Sequence, residues 1–259
     1  MKVVVLGSGS RGNAVVVEST AGRRVLIDAG FSCRELEKRM HAVGIAPKSL
    51  EALILTHEHQ DHVIGADRFA RRHELPIYAT QGTLGATSLR PEMRQRAVRI
   101  QSGVPVEVAG FELEPFAIPH DAFEPVGVVL TDGAGRRFGL AADLGYRSRL
   151  AWGRMGELDL VVLETNHDLE MLRSGPYPWP LKQRIAGRHG HLSNREAAEG
   201  LPELCSDRLQ WVVLYHLSQT NNDPALALDV VQETLAETGS AACAEVSFQD
   251  RPTPWLEVA

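Results

Sequence analysis

The stretch THEHQDHVIG, residues 56–65, continues the apolar run LEALIL and crowds His57, His59, Asp61 and His62 into one short segment. A short apolar run closed by polar residues reads as a buried strand. Side chains two apart on an extended segment point the same way, so His57 and His59 can converge on one ion while the turn carries Asp61 and His62 towards a second. Imidazole and carboxylate groups suit zinc, and an adjacent pair of ions calls for a bridging oxygen. The segment is not the H-E-x-x-H of helical zinc proteases, because Asp61 stands where the second histidine should be.

A dinuclear site demands further ligands from elsewhere in the chain. His120 closes the strand-like FELEPFAIPH, Asp143 closes RRFGLAAD and His216 closes QWVVLYH. Each sits where the carboxyl end of a strand would deliver it to one rim, and Asp143 could bridge with its two oxygens. His191, in RHGHLSN, is the rival to His216 as last ligand. His41 and His73 fall within or just after helical patterns and read as surface residues.

The chain has 259 residues, 44% hydrophobic and 23% charged, an ordinary globular composition that reads as a single domain over 1–259. The start MKVVVLGSGS lacks the apolar core of a signal peptide, and no stretch approaches the roughly 20 apolar residues of a membrane span, so the expectation is a cytoplasmic protein without membrane contact. Cys33, Cys205 and Cys243 form no C-x-x-C pair and read as core residues.

The net charge of −6 argues against a generally basic nucleic-acid coat. Local charge differs. Met171 to Arg195 holds no acidic residue but contains Arg173, Lys182, Arg184, Arg188 and Arg195, and SLRPEMRQRAVRI carries Arg90, Arg94, Arg96 and Arg99 against Glu92. Together the two segments could steer a polyanion.

KVVVLG, AVVVES, RRVLIDAG, EALILT and PIYAT read as strands, separated by the helical patterns CRELEKRMHAVG and DHVIGADRFARRH. Later strands are VEVAGFELEPFAI, VGVVLTDGAGRRFGLAAD with a turn at 132–135, DLVVLETN, QWVVLYHL and AEVSFQD, among the helical RSRLAWGRM, HDLEMLRSG, NREAAEGLPEL and PALALDVVQETLAETG. The arrangement suggests an α+β fold of two packed sheets with helices on both outer sides. RSGPYPWPLKQRIAGRHGHLSN reads as a long functional loop. GSGSRG matches G-x-G-x-x-G, but a strand follows it instead of a helix, so it reads as a strand-to-strand turn.

The order H-x-H-x-D-H, His, Asp, His resembles the metallo-β-lactamase fold, a four-layered αββα sandwich with metals at one edge. LGSGSRGNAVVVE, THEHQDHVIG, PHDAFEPVG, AADLGY, ETNHDLEML, GHLSN and YHLSQTNN are similar to its YycJ/WalJ branch, metal-dependent hydrolases associated with exonuclease activity on DNA. The resemblance implies His57, His59 and His120 on one metal, Asp61, His62 and His216 on the other, and Asp143 between them. It also implies His167 and His191 near the substrate with Asn13, Asn166, Ser193 and Asn194, although Ser193 or Asn194 could equally cap the following helix.

Such a pair of ions, zinc with manganese as the alternative, would hold a bridging hydroxide for attack on a phosphodiester, with Asp61 orienting it and His167 or His191 serving the scissile phosphate. Lys182, Arg184 and Arg188 would hold further phosphates of DNA. The alternatives are a hydrolase of small phosphodiesters, lactones or thioesters, and a non-catalytic regulatory protein with a structural metal.

Overall fold

The computed structural model describes residues 1–259. In the first half, the antiparallel strands β1 (Lys2–Gly7), β2 (Ala14–Glu18) and β3 (Arg24–Ile27) are extended by the parallel strands β4 (Ala52–Ile54), β5 (Ile77–Thr80) and β6 (Val98–Ile100). Helices α1 (Cys33–Ala42), α2 (Gln60–Val63), α3 (Ala66–His73), α4 (Gln81–Ala86) and α5 (Pro91–Arg96) connect them. In the second half, β7 (Val106–Val108), β8 (Phe111–Ala117), β9 (Val126–Asp132) and β10 (Arg137–Ala141) form an antiparallel meander. The strands β11 (Leu160–Glu164), β12 (Trp211–Tyr215) and β13 (Cys243–Val246) continue it in parallel. Helices α6 (Arg149–Arg154), α7 (Leu169–Ser174), α8 (Trp179–Ile185), α9 (Asn194–Gly200) and α10 (Pro224–Glu237) accompany these strands, and β14 (Leu256–Glu257) returns to pair with β1.

The result is two seven-stranded sheets, β14-β1-β2-β3-β4-β5-β6 and β13-β12-β11-β10-β9-β8-β7. Alternation along the strands explains the layers. Val3, Val5, Val15 and Val17 pack against Phe111, Leu113, Val128 and Phe138 between the sheets. Their neighbours Val4, Leu6 and Val16 face outward onto Leu36, Met40 and Phe69 of α1 and α3. Across the molecule Val161, Leu163, Val212 and Leu214 meet Trp152, Leu201 and Val231. Strands buried on both faces read as unbroken apolar runs, as KVVVLG and AVVVE do. Covering both outer faces with helices gives the expected αββα sandwich.

Several local readings change. The loop expected at 173–194 contains α8, which tolerates Pro180 because a proline in the first helical turn removes no intrahelical bond. VEVAGFELEPFAI is a hairpin, turned at Ala109 (φ 51) and Gly110 (φ 79). Only Cys33 of the three cysteines is buried; Cys243 is exposed and Cys205 partly so. His41 is exposed, but the His73 side chain is only 7% exposed and its Nε2 lies 2.9 Å from Glu37 Oε1. GSGSRG is the β1–β2 turn. No helix is long and apolar enough to cross a membrane.

Candidate metal centre

Strand ends deliver the ligand-type residues to one rim. His57 lies three residues beyond β4, His120 three beyond β8, Asp143 two beyond β10, and His216 directly follows β12. Four groups of atoms at this rim each gather within 4.8 Å: His57, His59 and His120; Asp61, His62 and His216; Asp143 with His57 and His62; and Asp143 with Glu164, His191 and His216. Asp143 faces both clusters, its Oδ2 3.1 Å from His62 Nε2 and its Oδ1 3.7 Å from His120 Nε2.

Four of the five rings are held by Nδ1 and leave Nε2 for the centre. Nδ1 of His57 lies 3.0 Å from Thr56 Oγ1, that of His62 2.8 Å from Asp28 Oδ2, that of His120 3.2 Å from the Gly190 carbonyl, and that of His216 3.2 Å from Glu164 Oε1. Partners of this kind fix the ring orientation of metal-binding histidines. His57 Nε2 is buried without a hydrogen-bond partner, and Asp143 Oδ2, though 3.1 Å from His62 Nε2, makes no well-aligned hydrogen bond. Leaving such groups unpaired costs about 1–3 kcal/mol each. The orphaned atoms and the imidazole–carboxylate donor set fit two divalent cations.

The backbone is set for this arrangement. Asp28, Asp143 and His216 adopt left-handed φ of 60°, 59° and 59°. Such conformations are disfavoured for most non-glycine residues and cluster at functional sites. Gly30 brings two segments together, since a Cβ there would lie 1.7 Å from the Asp61 carbonyl oxygen.

Burial would lower every histidine pKa, and for His57 it wins, holding the ring well below its usual value. For His62 the carboxylates of Asp143, Asp28 and Asp61 outweigh burial and raise it well above. At His216, Asp143, Asp61 and Glu164 overcome burial and push the pKa to about 10. Glu164, fully buried, would rise by desolvation, but His191 and His216 bring it down to about 2. Asp143 is likewise held well below the usual carboxylate range, His216 and His62 outweighing its burial.

The sequence family described as "Beta-lactamase superfamily domain" matches residues 23–216. Exodeoxyribonuclease YycJ of Bacillus anthracis is 35% identical over 237 residues, 91% of this chain and 89% of that protein. The chain belongs to the metallo-β-lactamase superfamily. Exodeoxyribonuclease WalJ of Streptococcus pneumoniae is 33% identical over 241 residues, covering 91% and 88%. The crystal structure of the metallo-beta-lactamase fold protein YhfI from Bacillus subtilis superposes with a TM-score of 0.69 at 18% identity, covering 97% of this chain and 98% of that one.

In this member of the superfamily, the rim opens into a cleft of about 250 Å³ lined by His59, Asp61, His120, Asp143, His191 and His216, with Asn166 and Arg184 beside them and Tyr177, Leu181 and Ile185 as an apolar wall. His191 Nδ1 lies 2.8 Å from Glu164 Oε1 and its Nε2 has no partner, whereas the His216 ring is 4% exposed and points Nε2 at Asp61 Oδ2, 3.3 Å away. That geometry separates the two rivals, giving His216 the deeper position.

Other residues expected at the substrate lie elsewhere. Asn13 is fully buried and spends its amide on Ser8, Gly9, Asp61 and His62, so it fastens the β1–β2 turn to the metal-motif turn. His167 is fully buried with neither ring nitrogen paired, too deep to touch a substrate in the cleft. Ser193 caps α9 in a reciprocal capping box with Glu196, and Asn194 pairs with Asn222. Lys182 donates to the Arg173 carbonyl, and Arg188 stacks on Tyr146 at 4.9 Å. Arg184 reaches the cleft but is bound through Nε and Nη2 to Asp121 at 2.8 and 2.6 Å.

Two carboxylates central to the site escaped the sequence reading. Asp28 accepts from Thr56 N and Oγ1 besides facing His62, and Glu164 accepts from the Leu144 and Leu192 amides besides facing His191 and His216. Each stands at the end of an apolar strand, RVLID and LVVLE, the same signal that identifies Asp143.

Proposed function

We propose that the protein is a two-metal phosphodiesterase acting on DNA, removing nucleotides from an end. The observation that carries the reading is the pair of adjacent ligand groups built from four anchored histidines and Asp143, of which His120, His216 and Asp143 line the cleft. The 33–35% identity to two exodeoxyribonucleases over most of both chains supports the choice of nucleic acid, and of DNA over RNA.

His57, His59 and His120 would hold one ion, Asp61, His62 and His216 the other, and Asp143 would touch both. Zinc suits these donors, with manganese the alternative. When bound, two divalent ions supply an acidified water and neutralise charge on the phosphoryl oxygens. Asp61, on the cleft wall, orients the attacking water through its carboxylate. His191 is held at Nδ1 by Glu164 and turns a free Nε2 to the cleft, the placement of a donor to the scissile phosphate or the leaving oxygen. Asn166 donates to the His216 carbonyl at 2.8 Å and so keeps that left-handed residue in place.

The test is metal-dependent cleavage of end-labelled DNA, compared with RNA of the same sequence and with bis(p-nitrophenyl) phosphate. Release of mononucleotides from DNA supports the reading; turnover of the small diester alone sinks it. The small cleft, together with the engagement of Arg173 by Glu170 and of Arg184 by Asp121, favours a small phosphodiester as the second reading.

A further inference from the structure

The basic residues expected to meet a polyanion at 173–188 are mostly engaged within the protein, but two other arginines, Arg34 and Arg68, are not. A surface pocket of about 360 Å³ is lined by Ser32, Arg34, Gly65, Arg68 and Arg72, with Ile64 (60% exposed) at its edge. Arg34 lies in the first turn of α1, after the N-cap Ser32, and Arg68 in the first turn of α3, after Gly65, which offers no side-chain cap. A helix N-terminus carries positive partial charge and disfavours cations in its first turn. Two helices therefore place arginines where their own dipoles repel them, and both arginines converge on the same pocket.

Nearby acids do not relieve this. Glu35 is bound to Arg39 at 2.9 Å and to Lys38 at 3.5 Å. Asp67 is bound to Arg71 at 3.0 Å, to Arg90 Nε at 3.5 Å and to the Arg90 amide at 3.0 Å. Arg72 has a partner, Glu37 at 2.9 Å, whereas neither Arg34 nor Arg68 forms an ion pair or a hydrogen bond. Planar guanidinium groups are suited to bidentate contact with phosphate. The pocket also adjoins the metal motif along the chain, as Gly65 donates to the Ala29 carbonyl and Ala29 to that of His62, both at the entrance to α3.

We propose that Arg34, Arg68 and Arg72 bind a backbone phosphate of the nucleic acid outside the scissile position, giving the enzyme a second anchoring point beyond the cleft. This rests on the nuclease reading above. The pocket would grip a strand long enough to span cleft and pocket and would be out of reach of a dinucleotide.

The experiment compares wild type with Arg34→Gln/Arg68→Gln, using a fluorescent 12-nucleotide DNA for binding and both that DNA and a dinucleotide for cleavage. Loss of the contact to that one phosphate reduces the slope of log affinity against log salt by about 0.7–0.9. The ratio of kcat/KM on the 12-mer to that on the dinucleotide should fall about tenfold. An unchanged salt slope, or an equal loss on both substrates, overturns the proposal. Wild type that cleaves bis(p-nitrophenyl) phosphate but neither binds nor cuts DNA defeats the nuclease reading instead, and the pocket with it. A full loss of folding is checked by the single variant Arg68→Lys, which keeps the charge and should retain most of the salt slope.

Discussion

Asp28 Oδ2 lies 2.8 Å from His62 Nδ1, with both side chains at most 2% exposed, so a buried carboxylate outside the ligand groups sets which face of the ring meets the centre. Its removal should be felt through the metal. Asp28→Asn suits the test because asparagine also accepts left-handed backbone. The expected outcome is a 10- to 100-fold loss of affinity for one ion, on the order of other such partners, with an unchanged far-ultraviolet spectrum. Competitive chelator titration checks it, and equal affinity would deny Asp28 the role.

Asp143→Ala removes the one carboxylate that faces both ligand groups. Protein purified without chelator should contain close to two divalent ions per chain in the wild type and fewer in the variant, with turnover abolished. Elemental analysis and a phosphodiesterase assay decide the matter together. Full activity in a metal-free preparation would end the dinuclear reading.

His216→Ala and His191→Ala should fail differently. The first should lower occupancy of one metal position; the second should leave the metal content intact and reduce kcat by 10²- to 10⁴-fold, the range of a lost proton donor. Glu164→Gln should impair both, since Glu164 touches both rings. Metal loss in His191→Ala with retention in His216→Ala would exchange the assignments.

Gly30→Ala should act locally. The added methyl meets the Asp61 carbonyl oxygen at 1.7 Å and the Asn13 amide at 2.4 Å, both backbone atoms that cannot rotate away. The turn carrying Asp61 and His62 must shift, so activity should fall at least 10²-fold. Thermal unfolding would show whether the fold outlasts the function. Wild-type kinetics would mean that the turn yields at no cost.

The site was legible because His57, His120, Asp143 and His216 follow apolar strands, where a polar residue has only the sheet rim to occupy, and His59, Asp61 and His62 stand in the turn just beyond the first of them. Asp28 and Glu164 obey the same rule, but Asp28 has no histidine near it in sequence, and beside Glu164 it was His167 that drew notice. Asn13, Ser193 and Asn194 look like functional polar residues because a buried amide or hydroxyl that finds its partners within the protein has the same letters as one that meets a ligand. Charge along the chain likewise does not reveal that Asp121, 63 residues from Arg184, pairs with it. Helix α8 was hidden by its prolines, which break periodicity while leaving a first turn intact.

Histidines 57, 59 and 62 and Asp61 issue from the first sheet, whereas His120, Asp143 and His216 issue from the second. Ions shared between them would cross-link the two halves of the sandwich much as a disulfide joins distant segments. A chain with both sheets formed but not yet docked would possess all seven side chains and hold neither ion firmly. Metal uptake during refolding would then report the meeting of the sheets, arriving after secondary structure and together with burial of Phe111 and Phe138 at their interface.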